Sequence, residues 1–133
     1  IIIFNMTQLQ NLLKLKQLKG VGLVSMIIPA RLQIYSITNN ISTELSTASR
    51  IKNKSNRDSI INTYKDINEF FVNITHIPLN GVAVFAGTYV DKNGVRQREI
   101  LNFTPPKPIK EFIYSCDEHF HVDFIEDLYK TNV

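Results

Sequence analysis

Two short stretches hold most of the side chains with chemistry in them. TASRIKNKSNR, residues 47–57, places Arg50, Lys52, Lys54 and Arg57 within eleven residues and contains no acid. Cations at that density suit a polyanion, and Thr47, Ser49, Asn53 and Asn56 add neutral hydrogen-bonding groups among them; the same composition also describes a solvated helix end with capping residues. YSCDEHFH, residues 114–121, crowds Cys116, Asp117, His119 and His121 beside Tyr114 and Phe120. Those donor types suit zinc, but no second cluster completes the set at a recognised spacing. A Cys/His nucleophile lacks any marked orienting group or oxyanion hole. Gly20, Val21 and Gly22 begin a GxGxxG pattern, but its third glycine is missing and it precedes an expected strand where a dinucleotide site would follow one. No metal, no cofactor and no catalytic residue is therefore expected.

Charge is spread unevenly. Residues 1–57 hold eight Lys and Arg against the single acid Glu44, a net of +7, while residues 58–133 hold seven cations against eleven acids, a net of −4. A basic half of this kind meets a polyanion or forms a solvated face. The 133 residues, 44% hydrophobic and 20% charged, fit one domain with one real core. One cysteine excludes an internal disulfide framework and fits a reducing compartment. No apolar run approaches the roughly 20 residues of a membrane span, and the opening IIIF is too short and lacks the charged flank of a signal peptide. A soluble, cytoplasmic protein with no membrane partner is expected, so the five Asn-x-Ser/Thr triplets, starting at Asn5, Asn40, Asn53, Asn73 and Asn102, read as by-products of composition. The first residue is not Met, which suggests a piece of a longer product.

The elements that must hold these stretches follow from periodicity. Leu9, Leu12 and Leu13 share one face of a helix over QLQNLLKLKQL that ends near Gly20, and residues 23–29 read as a buried strand stopped by Pro29. Ile34, Ile37, Ile41 and Leu45 predict a second helix from about Arg31 to Leu45. Ile60, Tyr64, Ile67 and Phe71 predict a third, with Ser55 and Asp58 as a variant capping box. RIKNK falls in the turn between them. Residues 82–90 and 95–103 flank DKNG, where Asn93 and Gly94 tolerate positive φ, and predict a hairpin. FIYSC, residues 112–116, predicts a fourth strand, and VDFIEDLYK a terminal helix with Val122, Ile125 and Leu128 or Tyr129 on one side. The fold class expected is α/β of the α+β type: a four-stranded, mostly antiparallel sheet covered by helices, with a protruding helical hairpin.

Three stretches add a resemblance. TASRIKNKSNR resembles the TASNIKS segment of the eukaryotic and archaeal class I polypeptide release factors, and YSCDEHFH fits their YxCxxxF motif at Tyr114, Cys116 and Phe120. SMIIP, NGVAVFAGTYV and FTPPKPI lie between or before these in the family's order, so the likeness runs from about Leu12 to Leu128. It implies that residues 1–133 form the amino-terminal, stop-codon-reading domain of a longer factor. By the same resemblance the domain enters the ribosomal A site and reads the mRNA stop codon, while a GTPase release factor binds mainly through other domains. The family's motif lysine falls on Lys52, its preceding acid on Glu44, and the aromatic and thiol of its second motif on Tyr114 and Cys116. Thr47, Ser49, Arg50, Ile51, Asn53, Asn56, Arg57 and Phe120 complete the codon-facing set that it implies. The family's GTS segment falls on Gly20, Val21 and Gly22, which removes two hydroxyls, and Arg50 and Asn53 replace the family's Asn and Ser. The Gly-Gly-Gln motif that promotes peptidyl-tRNA hydrolysis in the family does not occur in these residues, so a binding module is expected and not an enzyme. The rival expectation is a divergent paralogue that binds ribosome or RNA without decoding.

Overall fold

β1 (Gly20–Ile28) is apolar at nearly every position and buried from Gly22 onward, so it needs cover on both faces. The computed structural model describes residues 6–130, with side chains from 8 to 128, and shows that cover. The Asn5 triplet, the IIIF opening and the side chain of Tyr129 lie outside the described residues. Alternation along β1 sends Leu23 and Ile27 into a core with Leu12 and Leu15 of α1 (Met6–Lys16) and with Val122 and Ile125 at α4 (Asp123–Lys130). Val24, Met26 and Ile28 face the other way. They pack on Ile37 and Ile41 of α2 (Ile34–Ala48) and on Tyr64, Ile67 and Phe71 of α3 (Lys54–Val72). Each fully buried aliphatic side chain contributes roughly 1.5–3 kcal/mol, so two cores back to back on one strand make β1 the centre of the fold.

The sheet has the order β3-β2-β1-β4, with β2 (Val82–Val90), β3 (Arg96–Phe103) and β4 (Ile113–Asp117), and every neighbouring pair is antiparallel. The expected α+β architecture is observed. β1 begins three residues earlier than its apolar run suggested, because Gly20 and Val21 pair with Tyr89 and Thr88. The register then slips: Val21 faces Thr88 but Val24 faces Ala86, three residues against two. This bulge is turned by Gly22 at φ 69°, a conformation that a β-carbon disfavours.

The helical hairpin is present, with residues 49–53 as its connection. α2 starts at Ile34 and not near Arg31, because after Pro29 the chain makes a turn in which the Leu32 N–H donates to the Pro29 carbonyl at 3.2 Å. α3 is capped two residues earlier than the sequence suggested: the Asn53 side chain accepts from the Asn56 N–H at 2.9 Å. The Ser55/Asp58 capping box is not formed, since the Ser55 hydroxyl instead accepts from Arg96 at 2.9 Å. Arg98 adds a two-pronged contact to Asp66, at 2.8 and 2.7 Å, that ties β3 to α3. In the β2–β3 turn only Gly94 takes positive φ, at 77°; Asn93 does not, and Asp91 holds the turn by accepting from the N–H groups of Asn93 and Val95. No described helix is long and apolar enough to cross a membrane.

Candidate nucleic-acid interface

The hairpin connection exposes its cations because nothing packs over it. From Ser49 to Asp58 no residue is buried, whereas the far halves of both helices carry the apolar stripe. Arg50, Lys52 and Lys54 are exposed, and their side chains make no hydrogen bond or ion pair among the described residues. Arg57 behaves differently. Its guanidinium reaches back to the Ile51 carbonyl at 3.2 Å and stands 4.0 Å from Asp58, so it braces the connection. Thr47 and Ser49 also spend their hydroxyls locally, on the carbonyls of Thr43 at 3.2 Å and Ser46 at 2.6 Å. Asn53 and Asn56 form the cap of α3, and Ile51 is half-buried.

The second motif is divided by the pleat of β4. Tyr114 pairs with Met26 and Cys116 with Val24, which puts both on the side of α2 and α3, while Ser115 and Asp117 pair with Ser25 and Leu23 on the other side. Cys116 therefore parts company with Asp117, His119 and His121. Asp117 bonds the His121 ring at 2.5 Å and the His119 N–H at 2.9 Å, which holds its carboxyl below the usual carboxylate range. Among the described residues no cluster of His, Cys, Asp and Glu is arranged to hold a metal.

On the hairpin side four residues from three elements converge. Tyr114 is half-buried beside Glu44 of α2, its hydroxyl bonded to that of Tyr64 of α3, with the Cys116 thiol next to Tyr64. Burial is the main cause that pushes the Tyr114 phenol up to about 12, with the nearby Cys116 and Glu44 adding to it and the Tyr64 hydrogen bond opposing. Burial also raises the Tyr64 phenol and the Cys116 thiol. All three hydrogens are thus retained at neutral pH, and Cys116 is no ready nucleophile. The arrangement can donate and accept hydrogen bonds beside a half-open aromatic face.

The family model for eRF1 domain 1 matches residues 1–130. The chain belongs to that family. It is 30% identical over 113 residues to eukaryotic peptide chain release factor subunit 1-1 of Brassica oleracea var. botrytis, covering 85% of this chain and 26% of that protein. It is 31% identical over 109 residues to eukaryotic peptide chain release factor subunit 1 of Giardia intestinalis, covering 82% and 24%. Among solved structures, the archaeal translation termination factor aRF1 superposes with a TM-score of 0.79 at 28% identity, covering 92% of this chain and 34% of that one. An archaeal protein superposes with a TM-score of 0.84 at 29% identity, over 99% and 38%. The chain spans about a quarter of the length of the curated relatives that it matches.

The remaining expected site residues of this domain 1 chain are placed differently from one another. Phe120 is buried, edge-on to Phe85 with ring centres 5.9 Å apart, in the core on the α1 and α4 side. It lies on the opposite face of the sheet from Tyr114 and is not brought together with it. Gly20, Val21 and Gly22 do not precede the strand but open it, and Val21 is 48% exposed at the bulge. Two concavities, of about 840 and 520 Å³, lie against α1 with β2–β3 and against α3 with β3, and include none of the candidate residues. Tyr64 was read only as part of the apolar stripe; its hydroxyl, which a phenylalanine there would lack, is the signal that pointed toward the site.

Proposed function

We propose that this chain is the stop-codon-reading module of a translation termination factor, entering the ribosomal A site with its hairpin foremost. The observation that carries the reading is the convergence of Glu44, Tyr114 and Cys116 from α2 and β4 on the side of the sheet that bears the cationic hairpin. The unpaired cations Arg50, Lys52 and Lys54 offset phosphate repulsion in a confined RNA site, and unpaired bases are read by stacking and by hydrogen bonds to their edges. Kinship with proteins named as release factors supports the same role. Peptide release belongs to a domain outside these residues, and a partner GTPase meets the factor mainly through other domains.

A second reading, an RNA- or ribosome-binding paralogue without decoding, is favoured by the loss of hydroxyls at Val21 and Gly22 and by Arg50. Binding of the chain to ribosomes carrying UAA, UAG, UGA or a sense codon in the A site separates the two. Preference for stop codons supports decoding. Equal binding to all four supports the paralogue, and absence of binding sinks both.

A further inference from the structure

Tyr64 is 2% exposed on the α3 stripe, where phenylalanine would pack as well, yet it brings a hydroxyl into the core. A buried hydroxyl without a partner is costly, and this one is met by the hydroxyl of Tyr114. The direction of that bond follows from burial. The Tyr64 hydroxyl is enclosed and the oxygen that it meets is that of Tyr114, so its proton is best satisfied by donating there, whereas Tyr114 is only half-buried and is left free to offer its own O–H elsewhere. Tyr64 then donates.

We propose that Tyr64 is a positioning residue for codon reading: by donating to the Tyr114 oxygen it fixes Tyr114 as a hydrogen-bond donor toward an acceptor atom on a base edge. This rests on the stop-codon reading above. A phenol free to rotate its O–H serves an amino group or a carbonyl alike and discriminates between them poorly. A phenol whose oxygen is already engaged offers its proton only, and so selects for a carbonyl oxygen or ring nitrogen.

The test uses the parent chain, Tyr64→Phe, Tyr114→Phe and the double variant, each with ¹³C at tyrosine Cζ, bound to ribosomes programmed with UAA or with CAA. In Tyr64→Phe the preference for UAA over CAA is expected to fall about 3- to 10-fold, the size of one lost hydrogen bond. Binding to CAA ribosomes stays unchanged, the Tyr114 Cζ resonance moves, and the double variant loses no more preference than Tyr114→Phe alone. A parent-like preference in Tyr64→Phe, additive losses in the double variant, or equal loss on both codons overturns the positioning role. A parent chain without any preference for UAA overturns the decoding reading and this role with it. If Tyr64→Phe fails to fold, 3-fluorotyrosine at position 64 keeps the hydroxyl in place and makes it a stronger donor, and a preference for UAA over CAA that does not change then overturns the role.

Discussion

Ile60 of α3 closes over Gly22 of β1 so tightly that a β-carbon on Gly22 would stand 2.4 Å from Cγ1 of Ile60. The contact joins the hairpin to the bulge of the central strand, and it leaves a side chain at this position no room unless Ile60 moves. Gly22→Ala is expected to destabilise the chain by about 1–2 kcal/mol from positive φ alone, and by more from the collision. Urea unfolding measures it, and Ile60→Ala in the same background should relieve the collision part. A Gly22→Ala chain within about 0.5 kcal/mol of the parent would mean that the bulge relaxes freely.

Stability should fall at alkaline pH. Tyr64 and Tyr114 start from 10.0 in the unfolded chain, and both are raised on folding, so the folded state keeps protons that the unfolded state releases. Their contribution is complete below pH 10 and is lost progressively from there upward, through about 12 for Tyr114. Tyr64→Phe should make the decline shallower by up to about 1.4 kcal/mol per pH unit. Unfolding free energies followed from pH 8 to the alkaline limit decide it, with identical slopes counting against a shared buried network.

Lys52→Ala should leave unfolding unchanged, because Lys52 is exposed and unpaired. Its effect is expected in binding to stop-codon ribosomes: weaker affinity, and a salt dependence reduced by about 0.7 in log–log slope if one phosphate contact on a single strand is lost. An unaltered slope with unaltered affinity would make Lys52 incidental.

The three stop codons should be read unequally. Val21 has nearly the shape of threonine but neither donates nor accepts a hydrogen bond, and Arg50 has a long charged fork where the family has asparagine. Losing one such contact costs about 0.5–1.5 kcal/mol, up to roughly tenfold in relative recognition. The chain joined to the release-competent remainder of a relative is expected to favour some codons over another, and Val21→Thr with Arg50→Asn to narrow the gap. Equal peptide release on UAA, UAG and UGA by the parent would refute this.

The fold was legible wherever side chains repeat with a period. Ile34, Ile37, Ile41 and Leu45 announced α2, because burial of one face is a local signature, and the two strand-like runs flanking DKNG announced the hairpin. What escaped was set by partners distant in sequence. Ser55 looked like a cap, but Arg96 takes its hydroxyl; Gly20 and Val21 carry no strand pattern, yet pairing with β2 extends β1 over them. At the site, the motif residues were legible one by one, but their grouping was not. Only the pleat of β4 separates Cys116 from Asp117, and only the packing of α3 brings the Tyr64 hydroxyl to Tyr114.

The strand order also sets when the interface can exist. β1, α2, α3, β2 and β3 precede β4 in the chain, and β4 docks on the far edge of β1, so the Tyr64–Tyr114 contact closes across 50 residues of sequence. A polypeptide emerging amino-terminus first presents its basic hairpin before Tyr114 and Cys116 can dock beside it. Until the last strand arrives, the nascent domain carries the exposed cations of the hairpin without the side chains that the proposed reading sets beside them.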